Sequence, residues 1–110
     1  MELFRTSSYK AGLKRLRKLG ASDADITVME NMIAAEPGIG DVIPGSGGMR
    51  KVRFGYAGTG DRGGGRTIYY VVLHADTTYL LVAYPKVDKD DLTAKELKLF
   101  KTLVKDLTHG

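Results

Sequence analysis

The sequence contains no cysteine, so it can form neither a disulfide nor a thiolate metal site. No run of apolar residues reaches the roughly 20 residues that a membrane-spanning helix needs. The first ten residues, MELFRTSSYK, also lack the apolar segment of a secretory signal peptide. These absences are typical of a protein that works in the reducing environment of the cytoplasm, and we expect that location.

Residues for nucleophilic or metal chemistry are equally scarce. One of the two histidines, His74, lies within a strand pattern, and the other, His109, is the penultimate residue. The stretch VDKDDL has three carboxylates but lacks the glycine and the distal glutamate of a calcium loop, so we interpret it as a turn that leads into a helix. No Ser-His-Asp set and no pair of catalytic carboxylates is indicated. We therefore expect neither a metal nor a cofactor.

Charge is distributed in blocks along a chain that, at 110 residues, is expected to form one domain spanning residues 1–110. The net charge is +4. Six lysines and arginines face one glutamate in residues 1–20, residues 21–48 hold five carboxylates, and residues 49–70 hold five cations against one aspartate. Clustered cations indicate a polyanionic partner such as nucleic acid, although solvated protein faces explain the charge alone equally well.

The hydrophobic pattern predicts an α+β fold. A short strand at 2–6 precedes two helices joined by the two-residue link Gly20–Ala21, the first capped by Ser7 or Ser8 and the second by Ser22. Strands are predicted near 49–56, 66–74 and 78–84, and a last helix begins with a capping box formed by Thr93 and Glu96. We expect the helical hairpin and the C-terminal helix to pack on an antiparallel sheet. One sheet face should carry the helices, and the other should stay open to solvent or to a ligand.

The open face is predicted to be basic. Lys51 and Arg53 alternate with apolar residues, so they project from one face about 7 Å apart along the strand. Arg66 opens the next strand and can converge on the same surface, while Tyr84 and Lys86 end the third. Such a face suits RNA, because phosphates pair with lysine and arginine and bases stack on tyrosine. An ordinary polar outer face remains the alternative.

The connection GTGDRGGGRTIYY is unusually rich in glycine. It lacks the Gly-Lys-Ser/Thr ending of a phosphate-binding P-loop, and a strand rather than a helix follows it. The loop is therefore either a flexible connection or a segment that brings Arg62 and Arg66 to the basic face. In the second case its glycines allow a nucleic-acid backbone to approach closely.

Three stretches together resemble a known family: EPGIGDVIPGSGGMRKVRF, GDRGGGRTIYY and LLVAYPKVDKDDLTAKEL. In order and composition they are similar to the HigB-like branch of the RelE/ParE superfamily, the toxins of bacterial type II toxin–antitoxin modules. The similarity covers residues from about 30 to 100. It implies a RelE-like fold and cleavage of messenger RNA on the translating ribosome.

The resemblance also implies a set of site residues. The expected catalytic residues match the basic strands and the Tyr-x-Lys end of the third strand: Lys51, Arg53, Arg66, Tyr84 and Lys86. Further RNA contacts are expected from two arginines and two tyrosines, although the tyrosines also fit packing roles: Arg50, Arg62, Tyr69 and Tyr70. Cleavage by attack of a 2′-hydroxyl on its own phosphate needs charge stabilisation and proton transfer but no metal. Lys51 can act as the base only if its pKa is depressed, and we expect neighbouring Arg50 and Arg53 to shift it in that direction.

The expected partners are messenger RNA, the ribosome and a small antitoxin with a helix-turn-helix DNA-binding domain. Two alternatives stay open, because a fold does not determine a function. One is inhibition of DNA gyrase, as in ParE-like relatives of the same fold. The other is an RNA-binding module without catalytic activity. The convergent cations favour the nuclease, because an inhibitor that acts by protein–protein contact does not need them.

Overall fold

The structure is a computed structural model that describes residues 1–109, with the backbone alone described at positions 61 and 62. Within these residues the chain forms a five-stranded sheet, three helices of three turns or more, and one short helical turn. The strands are β1 (Glu2–Arg5), β2 (Asp41–Val42), β3 (Arg50–Phe54), β4 (Gly65–Val72) and β5 (Thr77–Pro85). The helices are α1 (Ser7–Lys18), α2 (Asp23–Ala35), the short α3 (Gly60–Gly63) and α4 (Ala94–His109).

Helix ends follow the local sequence closely. The predicted Ser22 cap of α2 is confirmed, with the Asp25 amide 3.1 Å from Ser22 Oγ, and the Asp25 side chain completes a capping box there. The second capping box, at Thr93, precedes α4 as expected. The cap predicted for α1 is one residue off: Thr6, not Ser7 or Ser8, accepts from the Tyr9 amide. Gly20 has φ +106° after α1, a conformation that allows the tight link to α2.

The predicted α+β class is confirmed, but the sheet is mixed rather than wholly antiparallel. Its strand order is β1-β5-β4-β3-β2, and β1 pairs parallel to β5 while the other pairs are antiparallel. Thr6 lies between β1 and α1, and its hydroxyl donates to the carbonyl oxygens of Leu80 and Leu81, each at 2.9 Å. These bonds fix the turn from β1 into α1. The parallel pairing of β1 with β5 is a long-range contact, which no local pattern reveals.

Helices cover both faces of the sheet. The α1–α2 hairpin packs on one face, where its side chains meet those of β3, β4 and β5, including Val52, Phe54 and Tyr69. Helix α4 packs on the other face, over a second buried cluster: Met49, Ile68, Leu81 and Tyr84. The prediction that this second face is open is therefore wrong. The central strands β4 and β5 carry apolar side chains on both faces, and both faces need cover.

No helix among the described residues is both long enough and apolar enough to cross a membrane.

Candidate nucleic-acid interface

Strand register aligns three predicted site residues across the sheet. Arg53 of β3 pairs with Arg66 of β4, and Arg66 pairs with Tyr84 of β5. Paired residues in neighbouring strands project from the same face. These three residues, called the basic row here, lie on the α4 face, opposite the buried side chains of Val52 and Phe54. The structure thus places Arg66 on the same sheet face as Lys51 and Arg53.

Lys51 lies two residues before Arg53 in β3, so it projects from the same face as the basic row. Its ammonium forms an ion pair with Asp91, which follows β5 in the chain, and 18% of the side chain remains exposed. Arg50 projects to the opposite face, where its guanidinium donates to the carbonyl oxygens of Gly40 at 2.7 Å and Gly38 at 3.3 Å. The surroundings of Lys51 therefore include a carboxylate and lack the Arg50 side chain, unlike the purely cationic surroundings that the sequence suggested.

Arg66 is the most buried member of the basic row, with 1% of its side chain exposed. Its Nε donates to Asp90 Oδ1 at 3.0 Å, and Nη1 donates to the carbonyl oxygen of Gly65 at 3.0 Å. The hydrogen bond from Arg66 holds the pKa of Asp90 below its usual range, aided by the charges of Lys51 and Lys86. The buried guanidinium thus depends on Asp90 for part of its charge compensation.

Tyr84 ends the row and is also covered. Its hydroxyl donates to the carbonyl oxygen of Asp90 at 3.1 Å, and the Lys89 ammonium lies 5.0 Å from its ring centre. Burial raises the pKa of Tyr84 above its usual range, and the charges of Asp91 and Asp90 raise it further. The phenol is therefore a proton donor and not a phenolate at neutral pH. Lys86, two residues on, is exposed.

Sequence reasoning missed the acidic segment that lies against the row. The pattern VDKDDL predicts only a turn, yet Asp90 and Asp91 pair with Arg66 and Lys51. Asp88 pairs with Arg15 of α1, with oxygen–nitrogen distances of 2.9 and 3.2 Å. One signal was present in the sequence: these carboxylates directly follow the Tyr84–Lys86 strand end, so they lie close to any site built there.

The remaining residues predicted to contact RNA do not lie in the basic row. Tyr69 is fully buried under the helical hairpin, where its hydroxyl donates to the Pro37 carbonyl oxygen and accepts from the Gly40 amide. Tyr70 lies on the α4 face, half-buried, beside a groove that Lys98 and Lys101 also line. The Arg62 side chain lies outside the described residues.

The glycines nearest β4 are required by the protein's own packing. A Cβ atom at Gly64 would lie 2.1 Å from the Phe54 carbonyl oxygen, and one at Gly65 would lie 2.4 Å from the Phe54 ring. Real Cβ atoms do not approach so closely. These two glycines let the connection between α3 and β4 pack directly against β3. The protein's own packing therefore explains both glycines without a bound ligand.

The fold and the basic row together define a small α+β protein with cations gathered at one end of a mixed sheet. Over residues 1–109 the chain matches the family model described as the RelE toxin of the RelE/RelB toxin–antitoxin system. The chain therefore belongs to the RelE toxin family, and the resemblance noted in the sequence is confirmed at the level of the superfamily. Its role is that of a toxin in a toxin–antitoxin system, and such a system implies an antitoxin partner.

Proposed function

We propose that this toxin is a metal-independent endoribonuclease of the HigB-like branch that cleaves messenger RNA on the translating ribosome. One observation carries the proposal: β-sheet register gathers Arg53 and Arg66 into a single row, with Lys51 on the same face. Asp90 and Asp91 balance the charges of Arg66 and Lys51, whereas Arg53 is exposed and has no carboxylate partner among the described residues, so it is available to a phosphate. The motif order within residues 30–100 supports the HigB-like branch.

The proposed reaction is an internal transfer at one phosphate. The 2′-oxygen forms a bond to phosphorus as its proton passes to a solvent water molecule. The bond from phosphorus to the 5′-oxygen breaks, and the departing oxygen takes up a proton from Lys86. The products are a 2′,3′-cyclic phosphate and a 5′-hydroxyl. Negative charge grows on the phosphoryl oxygens in the transition state, so fixed cations close to them lower the barrier.

Each residue has a role that suits its exposure. Exposed Arg53 and partly exposed Lys51 stabilise the charge on the phosphate directly, and buried Arg66 supports them from within the sheet. Lys86 is exposed and is assigned as the donor of a proton to the 5′-oxygen. Tyr84 keeps its proton and, because it is buried, acts as a positioning residue at the end of the row. Lys51 is assigned a charge-stabilising role rather than that of a base, because Asp91 lies against its ammonium.

The proposed partners follow from this activity. The toxin acts in the cytoplasm, where ribosomes translate messenger RNA. Its antitoxin is proposed to be a small protein with a helix-turn-helix DNA-binding domain, as in the HigB-like modules that the sequence resembles.

The test is a cell-free translation reaction in which the 5′ ends of the message are mapped with and without the purified toxin. We expect cuts only while ribosomes translate. Lys51→Ala and Arg53→Ala should each slow cleavage by about 100-fold or more, the usual effect of removing one group that stabilises transition-state charge. Lys14→Ala is the matched control, since it removes one exposed lysine from α1 and should leave cleavage unchanged.

Two results would redirect the assignment. An intact message with normal protein output refutes the nuclease, and a gyrase supercoiling assay then tests the ParE-like alternative. Salt-sensitive binding of RNA without any cleavage indicates an RNA-binding module instead.

A further inference from the structure

The acidic segment, residues 88–91, has no apolar side chain of its own and is held by polar contacts, while Leu92 directly after it packs against the second buried cluster. Asp88 is bound by Arg15, Asp90 by Arg66, and Asp91 by Lys51. Apolar anchoring is weak at its start, because Val87 is 74% exposed. Of the three ion pairs only Arg15–Asp88 joins two exposed side chains, and such a pair contributes little free energy and weakens as salt rises. Releasing the segment therefore costs little at Asp88, whereas the buried Arg66 needs another anion in place of Asp90.

This segment lies where a phosphate would have to bind. Asp90 accepts from the Arg66 guanidinium, and its backbone carbonyl oxygen accepts from the Tyr84 hydroxyl. Both Arg66 and Tyr84 are more than nine-tenths buried, so RNA cannot touch them in this arrangement. A carboxylate and a phosphate present the same kind of anionic oxygen to a guanidinium or an ammonium. Asp90 and Asp91 thus occupy the anion positions on the two cations.

We propose that residues 88–91 form an autoinhibitory strap that RNA phosphates displace from Lys51 and Arg66, and that the Arg15–Asp88 ion pair sets how firmly the strap stays closed. The inference deepens the proposed function, and its relevance to catalysis rests on it. Arg15 belongs to α1, which packs on the hairpin face of the sheet, so it controls access to the row without being part of the row.

The strap and simple electrostatics predict opposite effects of replacing Arg15 on the affinity for RNA. Arg15→Gln removes a cation from a basic protein, which by charge alone weakens binding to RNA. If the strap competes with RNA, the same change frees Asp88, opens the strap and strengthens binding. Arg17→Gln is the matched control: it removes the same charge from the same helix, and its partner Asp23 lies far from the strap in sequence.

The experiment measures the affinity of the full chain for a short 2′-O-methyl RNA oligonucleotide, which cannot be cleaved because it has no free 2′-hydroxyl. We expect Arg15→Gln to bind about two- to five-fold more tightly than the wild type, the range that one exposed ion pair supports. Arg17→Gln should bind equally or more weakly. Equal weakening in both variants overturns the proposal.

A second measurement follows the strap without RNA. The Nε–H of Arg66 donates to Asp90, and its exchange with solvent, measured by NMR, should be slow in the wild type and faster in Arg15→Gln. Unchanged exchange in Arg15→Gln overturns the proposal, even if RNA binding becomes tighter. If both measurements agree with the strap but the wild type cuts no message during translation, the nuclease assignment fails and the strap stands as a control on RNA binding.

Discussion

Tyr69→Phe removes a single hydroxyl group that joins β4 to the turn after α2. In the folded chain this hydroxyl donates to the Pro37 carbonyl oxygen at 2.7 Å and accepts from the Gly40 amide at 2.8 Å. Phenylalanine keeps the ring in the core but leaves both backbone groups without this partner. We therefore expect Tyr69 to matter for stability and not for RNA binding.

The expected loss can be worked out from the burial of the two groups. Gly40 is buried, and an amide left there without an acceptor costs about 1–3 kcal/mol. The Pro37 residue is half-buried, so water can reach its carbonyl oxygen and the cost there is smaller. Together we expect a fall of about 2–3 kcal/mol in the free energy of unfolding. For a domain of this size that lowers Tm by roughly 10 °C.

The assay pairs thermal and urea unfolding, followed by circular dichroism, with RNA binding at a temperature where both proteins are folded. Tyr70→Phe is the matched control, because its hydroxyl makes no hydrogen bond to any part of the chain that the structure describes. It should leave the free energy of unfolding within about 0.5 kcal/mol of the wild type. A Tyr69→Phe variant of wild-type stability that binds RNA more weakly would refute the reasoning and return Tyr69 to the interface.

Two further predictions concern the packing of α1. Gly12→Ala should lower the free energy of unfolding by about 3 kcal/mol or more, since the new Cβ would lie 1.8 Å from the Ala83 carbonyl oxygen and the helix must shift. Urea unfolding measures this loss, and a variant as stable as the wild type would contradict the prediction. Burial raises the pKa of Tyr9, and its hydrogen bond to Glu30 raises it further. The contribution of the protonated Tyr9 to the free energy of unfolding is therefore complete below pH 10 and is lost as the pH rises above that value. Tyr9→Phe should therefore show a shallower fall in stability above pH 10, by up to about 1.4 kcal/mol per pH unit, and an unchanged slope in alkaline urea titrations would count against this assignment.

Local features of this protein can be read from its sequence because they depend on neighbours within a few residues. Such features involve residues at most four positions apart: the Ser22 and Thr93 caps, the glycine after α1 and the alternation of β3. Alternation alone also places Lys51 and Arg53 on one face. The same rule assigns Arg50 to the other face, so its separation from the row was predictable in principle.

Only the tertiary structure shows how far the basic row is covered. Helix α4 closes a face that local patterns left open, since apolar residues on both faces of β4 and β5 need cover. The ion pairs at Arg66, Lys51 and Arg15 join residues separated by 24, 40 and 73 positions in the chain. Contacts at such separations depend on strand order and on how helices stack against the sheet. The sequence by itself therefore determined which cations face the same way, and the packing of distant segments decided which of them solvent or RNA can reach.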